Sequence, residues 1–289
     1  MSTYNGEQFL EEQVRSILEQ LPDDGTLLIR DDGSTDQTVA RVVAFKDDRI
    51  RLVQGKNVGF ASSFLCLLKM IPESSTSVFF SDQDDVWEPK KIATGCTALA
   101  GREDIPRLYC SGLLLVSEHL ESLGRSPLWP RKPSFDNALV ENIATGCTVA
   151  LNRAAVTLIL RTNRPEQIRY HDWWCYLVVA AFGEVLYDPI PQIRYRQHRQ
   201  NALGMSSGGA RYLRIMQAIR RQSWLGIMQA HLREFASSFG SDISASQKRS
   251  LDRMTIRGAR DAFRVIFSIE RRRQFLRDEL LFRFSWLSN

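Results

Sequence analysis

Apolar residues at Phe9, Leu10, Val14, Ile17, Leu18 and Leu21 recur at steps of three and four along an otherwise polar stretch. That is the period of a helix with one buried face. The pattern then breaks into short apolar runs alternating with amphipathic segments. Residues 27–29 predict a strand, 36–46 a helix with Val39, Val42 and Val43 inward, and 50–53 a strand. Residues 60–71 predict a helix, 78–80 a strand and 90–100 a helix. Such alternation predicts an α/β fold, a mostly parallel sheet with helices on both faces. Farther on, 108–116 and 148–151 predict strands, 154–160 a helix and 172–182 a strongly apolar helix. Short strands at 185–187 and 193–195 close the domain.

Met205-Ser206-Ser207-Gly208-Gly209 has the composition of a linker. It divides the chain into a domain over 1–204 and a basic helical C-terminal region over 205–289. In that region three helical patterns are separated by Gly240-Ser241-Asp242 and by Arg271-Arg272-Arg273. The last carries Leu276, Leu280, Phe284 and Leu287 on one stripe, with Arg277 and Arg283 alongside. Over 248–289 there are 11 Lys/Arg against 5 Asp/Glu, a net +6 that accounts for the whole-chain charge of +5. No nucleic-acid motif or aromatic-interleaved basic patch accompanies these charges, so nucleic acid is not an expected partner. A basic amphipathic helix suits peripheral contact with an anionic membrane; a solvated basic helix is the plain alternative. No apolar run approaches the ~18 residues that cross a bilayer. The five cysteines are odd in number, widely spaced and without a CxxC pair, which fits free thiols in a reducing compartment. The expected location is cytoplasmic, peripheral on the inner face of the plasma membrane.

Candidate chemistry gathers where predicted strands end. After the run 78–80 come Asp82, Asp84 and Asp85, three carboxylates within four residues. Crowded carboxylates repel one another and call for a cation, usually a hard one that takes oxygen ligands. Residues two apart in extended backbone point the same way, so Asp82 and Asp84 can share a site. A second acidic turn, Asp31-Asp32-Gly33-Ser34, follows the run 27–29 in the same manner. Carboxyl ends of strands in open α/β sheets are where ligands bind. An acidic surface loop, or ordinary turn and cap chemistry, is the alternative for either cluster alone. Asp172, at the start of an apolar helix, reads first as an N-terminal charge or cap, with a general base as the alternative. His119 and His231 carry no signal.

The order and spacing of the motifs adds a resemblance. Ser2-Thr3-Tyr4-Asn5-Gly6, Asp31-Asp32-Gly33-Ser34-Thr35-Asp36, Asn57-Val58-Gly59-Phe60 and Asp82-Gln83-Asp84-Asp85-Val86-Trp87 come first. Thr145-Gly146-Cys147, His171-Asp172-Trp173-Trp174 and Tyr195-Arg196-Gln197-His198-Arg199-Gln200-Asn201 follow. Together they resemble the family-2 glycosyltransferases, enzymes of the GT-A fold, over residues 2–201. SDQDDVW, HDWW and YRQHxxN look most like the rhamnosyltransferase branch of bacterial cell-surface polysaccharide synthesis. In that family the opening motif follows a buried first strand, and almost nothing precedes it here. The expectation is a truncated first strand and a true start upstream of Met1.

The resemblance implies a metal-dependent inverting transfer of a sugar, rhamnose among the candidates. The donor is a dTDP- or UDP-linked sugar and the acceptor a growing polysaccharide or a lipid-linked glycan. It implies Tyr4, Asn5, Asp32, Asp82 and Asp84 as donor-binding residues, with Asp84, Asp85 and His198 toward Mg²⁺ or Mn²⁺. Asp172 becomes the general base, and Trp173, Trp174 and Gly146 the acceptor side. The rival readings are a nucleotidyltransferase and an inactive, membrane-associated subunit of glycan assembly.

Overall fold

A computed structural model describes residues 1–198, 223–255, 259–268 and 270–285. The helical period near the start is realised, and the alternation follows it. The order begins β1 (Ser2–Thr3), α1 (Leu10–Leu18), β2 (Leu27–Asp31), α2 (Thr38–Ala44), β3 (Ile50–Gln54) and α3 (Phe60–Lys69). Next come β4 (Ser77–Phe79), β5 (Val86–Trp87), α4 (Lys91–Leu99), β6 (Arg107–Ser111), β7 (Leu114–Val116) and β8 (Ser122–Arg125). Then follow α5 (Phe135–Ala138), β9 (Ala150–Asn152), α6 (Arg153–Ile159), α7 (His171–Phe182), β10 (Glu184–Asp188) and β11 (Ile193–Arg196). Among the described residues the chain continues with α8 (Ser223–Phe239), α9 (Ala245–Met254), α10 (Ala259–Ile266) and α11 (Leu276–Ser285). The linker expected at 205–209 lies outside the described residues, as does Leu287.

The first three strands pair in parallel, in the order β1-β2-β3. A second sheet runs β10-β6-β9-β4, with β10 parallel to β6 and β9 antiparallel to both its neighbours. A third, β5-β11-β7-β8, is mixed. β1 spans two residues, and Met1 before it is buried with its amino group donating to Leu28 O at 2.7 Å. Beside β1, the Gln83 side chain replaces a strand ladder: Tyr4 N donates to Oε1 at 2.8 Å, and Nε2 donates to Tyr4 O at 3.1 Å.

Some expectations shift for local reasons. Asp36 does not enter the helix: its Oδ1 accepts from Thr38 N and its Oδ2 from Glu7 N, so α2 starts at Thr38. Val42 is buried there, but Val43 is exposed rather than inward. The run 108–116 is two strands, β6 and β7, parted at Gly112. A Cβ at that position would stand 2.8 Å from Pro189 O, so the chain crosses its neighbour too closely for a side chain.

The larger core is built around α7, whose residues from Trp173 to Val179 are all buried. The C-terminal helices share it: Leu225, Met228, Leu232, Phe235, Phe239, Leu251 and Phe282 belong to the same cluster as strand residues Leu108 and Leu151. Both tryptophans of the HDWW motif are spent here. Trp173 stacks on Trp224 with ring centres 5.7 Å apart and donates to Ala138 O at 2.7 Å. Trp174 is fully buried and donates to Thr162 Oγ1 at 2.9 Å. Neither offers a face for an acceptor sugar, which corrects the sequence expectation. α7 is packed nearly all round, so adjacent aromatic residues on it end in the interior.

The arginine run of the tail is likewise not a free basic strip. Arg272 is buried and pairs with Glu270; Arg273 Nε lies 3.4 Å from Glu141 Oε1, its guanidinium 5.1 Å from the Trp224 ring centre. Arg271 donates to Arg273 O and Gln274 O, and Arg283 pairs with Glu279 at 2.9 Å. The apolar stripe does face outward, with Leu276, Leu280 and Phe284 exposed.

Candidate active site

A cleft of about 460 Å³ opens where β1, β2 and β4 end, and Tyr4, Asp32, Asp82, Asp84, Gly146 and Asp172 all line it. Six of the residues singled out from sequence thus converge although they are up to 168 positions apart.

The acidic loop after β4 is a braced turn rather than an extended strand end. Gln13 Nε2 donates to Ser81 Oγ at 2.6 Å and to Asp82 O at 3.2 Å. Gln83 is held by Tyr4, and Arg196 donates through its backbone N to Asp85 Oδ1 and through Nε to Asp84 O. His198 Nε2 lies 2.9 Å from Asp84 Oδ2. The two-residue alternation expected of Asp82 and Asp84 is therefore replaced by separate ties, although both still line the cleft.

Asp85 sits behind them, fully buried, with its Oδ2 lacking a hydrogen-bond partner. Oxygens of Asp82 and Asp85 and the Cys147 sulfur lie within 4.8 Å of one another. Loss of water, together with the charges of Asp84 and Asp172, pushes the Asp82 carboxyl up to about 7. Burial and the Asp84 and Asp82 charges raise Asp85 well above the carboxylate range. The crowding of Asp82 and Asp85 favours a cation between them. The donor set and the unsatisfied Asp85 oxygen fit a hard ion of the Mg²⁺ or Mn²⁺ type. Cys147 does not belong to that set: burial lifts its thiol well above the usual range, so it stays protonated. Lys91, unnoticed in the sequence, is buried nearby, 4.8 Å over the Trp87 ring, and burial lowers it to about 8 while Cys147 and Asp85 oppose the fall.

The second acidic turn is mostly architecture. Asp31 accepts from Gly33 N, Ser34 N, Ser34 Oγ and Thr3 Oγ1, folding the turn over itself. Asp32 lines the cleft, yet it pairs with Arg30 and accepts from Val58 N and Gly59 N, both at 2.9 Å. Asn5 has a left-handed backbone, φ +48°, and its Oδ1 accepts from Thr35 N at 2.8 Å. Its side chain links the opening loop to the Asp31 turn, and Asn5 is not among the residues lining the cleft. Tyr4 is exposed beside it at the rim.

Asp172 lines the same cleft from the first turn of α7. Its Oδ1 accepts from Trp173 N at 2.7 Å and its Oδ2 from Gly146 N at 3.0 Å. Removal from water raises its carboxyl to about 6 despite these bonds and one from Asn142. A Cβ on Gly146 would meet His171 Nε2 at 3.1 Å, so this glycine allows the close approach that fixes Asp172. His171 stacks on Phe64 at 4.0 Å, both ring nitrogens lack partners, and burial lowers it to about 3, so it is neutral.

The profile of Glycosyl transferase family 2 matches residues 1–106. A dTDP-rhamnosyl transferase, RfbG of Shigella flexneri, is 30% identical over 240 residues, covering 78% of this chain and 80% of that relative. A UDP-Glc:alpha-D-GlcNAc-diphosphoundecaprenol beta-1,3-glucosyltransferase, WfgD of Escherichia coli, is 30% identical over 155 residues, 53% of this chain and 58% of the relative. Among solved structures, S. aureus TarS 1-349 in complex with UDP superposes with a TM-score of 0.56 at 16% identity, covering 88% of this chain and 68% of that one. Its complex with UDP-GlcNAc gives 0.57 at 14% identity, covering 99% and 89%. The structural likeness is one of fold, the GT-A fold that the motifs implied. With an acidic cleft at the strand ends and a relative matched over most of both chains, the protein belongs to glycosyltransferase family 2 and is a glycosyltransferase.

Proposed function

We propose that the enzyme is a metal-dependent, inverting transferase that moves rhamnose from a dTDP-linked donor to a hydroxyl of a lipid-linked or growing glycan. The observation that carries this reading is the convergence of Asp82, Asp84 and Asp172 on one cleft. The rhamnosyl donor follows the S. flexneri relative, and the lipid-linked acceptor follows the diphosphoundecaprenol named for the E. coli one. A UDP-linked donor is the nearest variant of the same reading.

Asp82 and Asp84, with Asp85 behind them, would hold Mg²⁺ or Mn²⁺, and His198 would steady Asp84. Such an ion supplies charge neutralisation for a diphosphate leaving group. Tyr4 presents its ring at the rim, where a base can stack. Asp172, ionised near neutral pH, takes the proton of the acceptor hydroxyl as that oxygen attacks C1 of the donor sugar. The bond from C1 to the diphosphate oxygen breaks as the new glycosidic bond forms, the electron pair leaving with the diphosphate. One displacement from the opposite face inverts C1. The bonds from Gly146 N and Trp173 N hold the Asp172 carboxylate in place.

The lipid-linked acceptor also motivates peripheral membrane attachment through the outward apolar residues of α10 and α11. The reading is tested by incubating dTDP-rhamnose or UDP-glucose with protein, Mn²⁺ and acceptor, and following nucleotide release. Metal-dependent release that Asp84→Ala abolishes supports it. Full turnover in excess chelator removes the metal from the mechanism.

A further inference from the structure

We propose that a second groove beside the cleft is the acceptor's diphosphate subsite, reached across the rings of Phe60 and Tyr170. This rests on the lipid-linked acceptor proposed above. The groove has a volume of about 570 Å³ and lies between α3 and the turn at 165–169. It shares Gly59 and Phe60 with the cleft. Phe60 is 43% exposed, and its ring centre is 6.0 Å from that of Tyr170. Tyr170 in turn lines the cleft two residues from Asp172. A sugar whose hydroxyl meets Asp172 therefore lies along these two rings, and sugar C–H faces pack well on aromatic faces. This pair takes the role that the buried Trp173 and Trp174 cannot fill.

Past Phe60 the chemistry of the walls changes. Lys69 and Arg169 line the groove, both exposed and neither in an ion pair among the described residues. One carboxylate, Glu166, opposes them. Val58, Leu65 and Ile168 supply apolar surface between. α3 begins at the same place, and Phe60, Ala61 and Ser62 of its first turn line the groove. Two cations without an ion pair among the described residues favour an anion, and guanidinium suits phosphate oxygens. The progression Asp172, Tyr170, Arg169 runs from reacting hydroxyl to sugar to the group on the sugar's far side. A diphosphate ester is the anion that a lipid-linked sugar carries there.

The test is titration calorimetry on the full chain with farnesyl diphosphate, farnesol and inorganic diphosphate. Chelator is present so that the acidic loop does not capture phosphate through metal. Farnesyl diphosphate binds saturably and more tightly than the other two, and Lys69→Ala/Arg169→Ala weakens it by about tenfold or more. Affinity of the same double variant for dTDP or UDP with Mn²⁺ stays unchanged. No saturable binding, or equal binding by the double variant, overturns the proposal. Farnesol binding as well as farnesyl diphosphate makes the groove a lipid slot and overturns it too. Equal affinity for inorganic diphosphate assigns the groove to a free anion and removes the acceptor. A wild-type protein that binds neither nucleotide fails at the underlying function instead.

Discussion

Asp172 is where the chemistry is most exposed to a single substitution. A carboxyl raised to about 6 is ionised at neutral pH yet basic enough to accept a proton, which suits general-base work. The rate should rise with pH through about 6 and fall below it, because only the ionised form accepts the proton. Asp172→Asn keeps the size and one of the two backbone bonds, since only its Oδ1 accepts, and it cannot take a proton. It should lower kcat by ~10²-fold or more, with nucleotide affinity retained. Near-normal turnover would return Asp172 to a mere helix-terminal charge. Asp82 makes a stability prediction of the opposite character. Its folded carboxyl, about 7, lies above that of an unfolded Asp, so the metal-free fold binds the proton more tightly. Metal-free protein should lose stability as pH climbs from about 4 through about 7. Mn²⁺ competes with that proton, so differential scanning fluorimetry should show a larger rise in Tm with Mn²⁺ at pH 8 than at pH 5.5. An equal rise at both would separate the ion from these carboxylates. Residue types and order were enough to single out Asp82, Asp84 and Asp172, which line one cleft. They were not enough for Trp173 and Trp174, since a motif does not say which face of a helix is covered, nor for Phe60, Lys91 or Cys147, whose relevance depends on neighbours distant in sequence.

At the level of elements, the readable parts were those with a period. α1 and α3 show spaced apolar positions, and β2 and β6 hold apolar runs that match their burial. β5 has two residues and β8 is exposed throughout, so neither offers an alternation to detect. Junctions were less legible still, because they depend on which strand the chain passes. The turn from α7 into β10 is the sharpest case. A Cβ on Gly183 would stand 1.9 Å from Pro106 O, and Glu184 N donates to that same oxygen at 2.9 Å. The obstacle is backbone, which cannot swing aside as a side chain would. Gly183→Ala should therefore destabilise the protein by about 1–3 kcal/mol. For a chain of this size that lowers Tm by ~2–4 °C per kcal/mol. Thermal unfolding by circular dichroism checks it, and an unchanged Tm would mean that β10 can shift along β6 at little cost.

On the scale of the whole molecule, the C-terminal helices are part of the core on one side and apolar on the other. The basic composition of 248–289 suggested a charged strip, but pairing distance in space is invisible in a count. Glu141, Glu270 and Glu279 take up Arg273, Arg272 and Arg283. What remains outward is Phe263 and Phe267, with ring centres 4.3 Å apart on α10, and Leu276, Leu280 and Phe284 on α11. None of the described helices is long and apolar enough to cross a membrane. Five large apolar side chains, each about half to two-thirds exposed, suit an interfacial face. Completing their burial in the headgroup boundary is worth roughly 1 kcal/mol each. Their sum is on the order of one acyl chain, enough for reversible attachment. Because the neighbouring arginines are tied to glutamates, attachment should depend more on insertion than on charge. Liposome flotation should then persist in high salt and on neutral lipid, and Phe263→Ser/Phe267→Ser should abolish it. Binding that vanishes in salt would restore the charged-strip reading. Protein that never floats, but doubles in mass with concentration by light scattering, would give this face to a second copy of the chain.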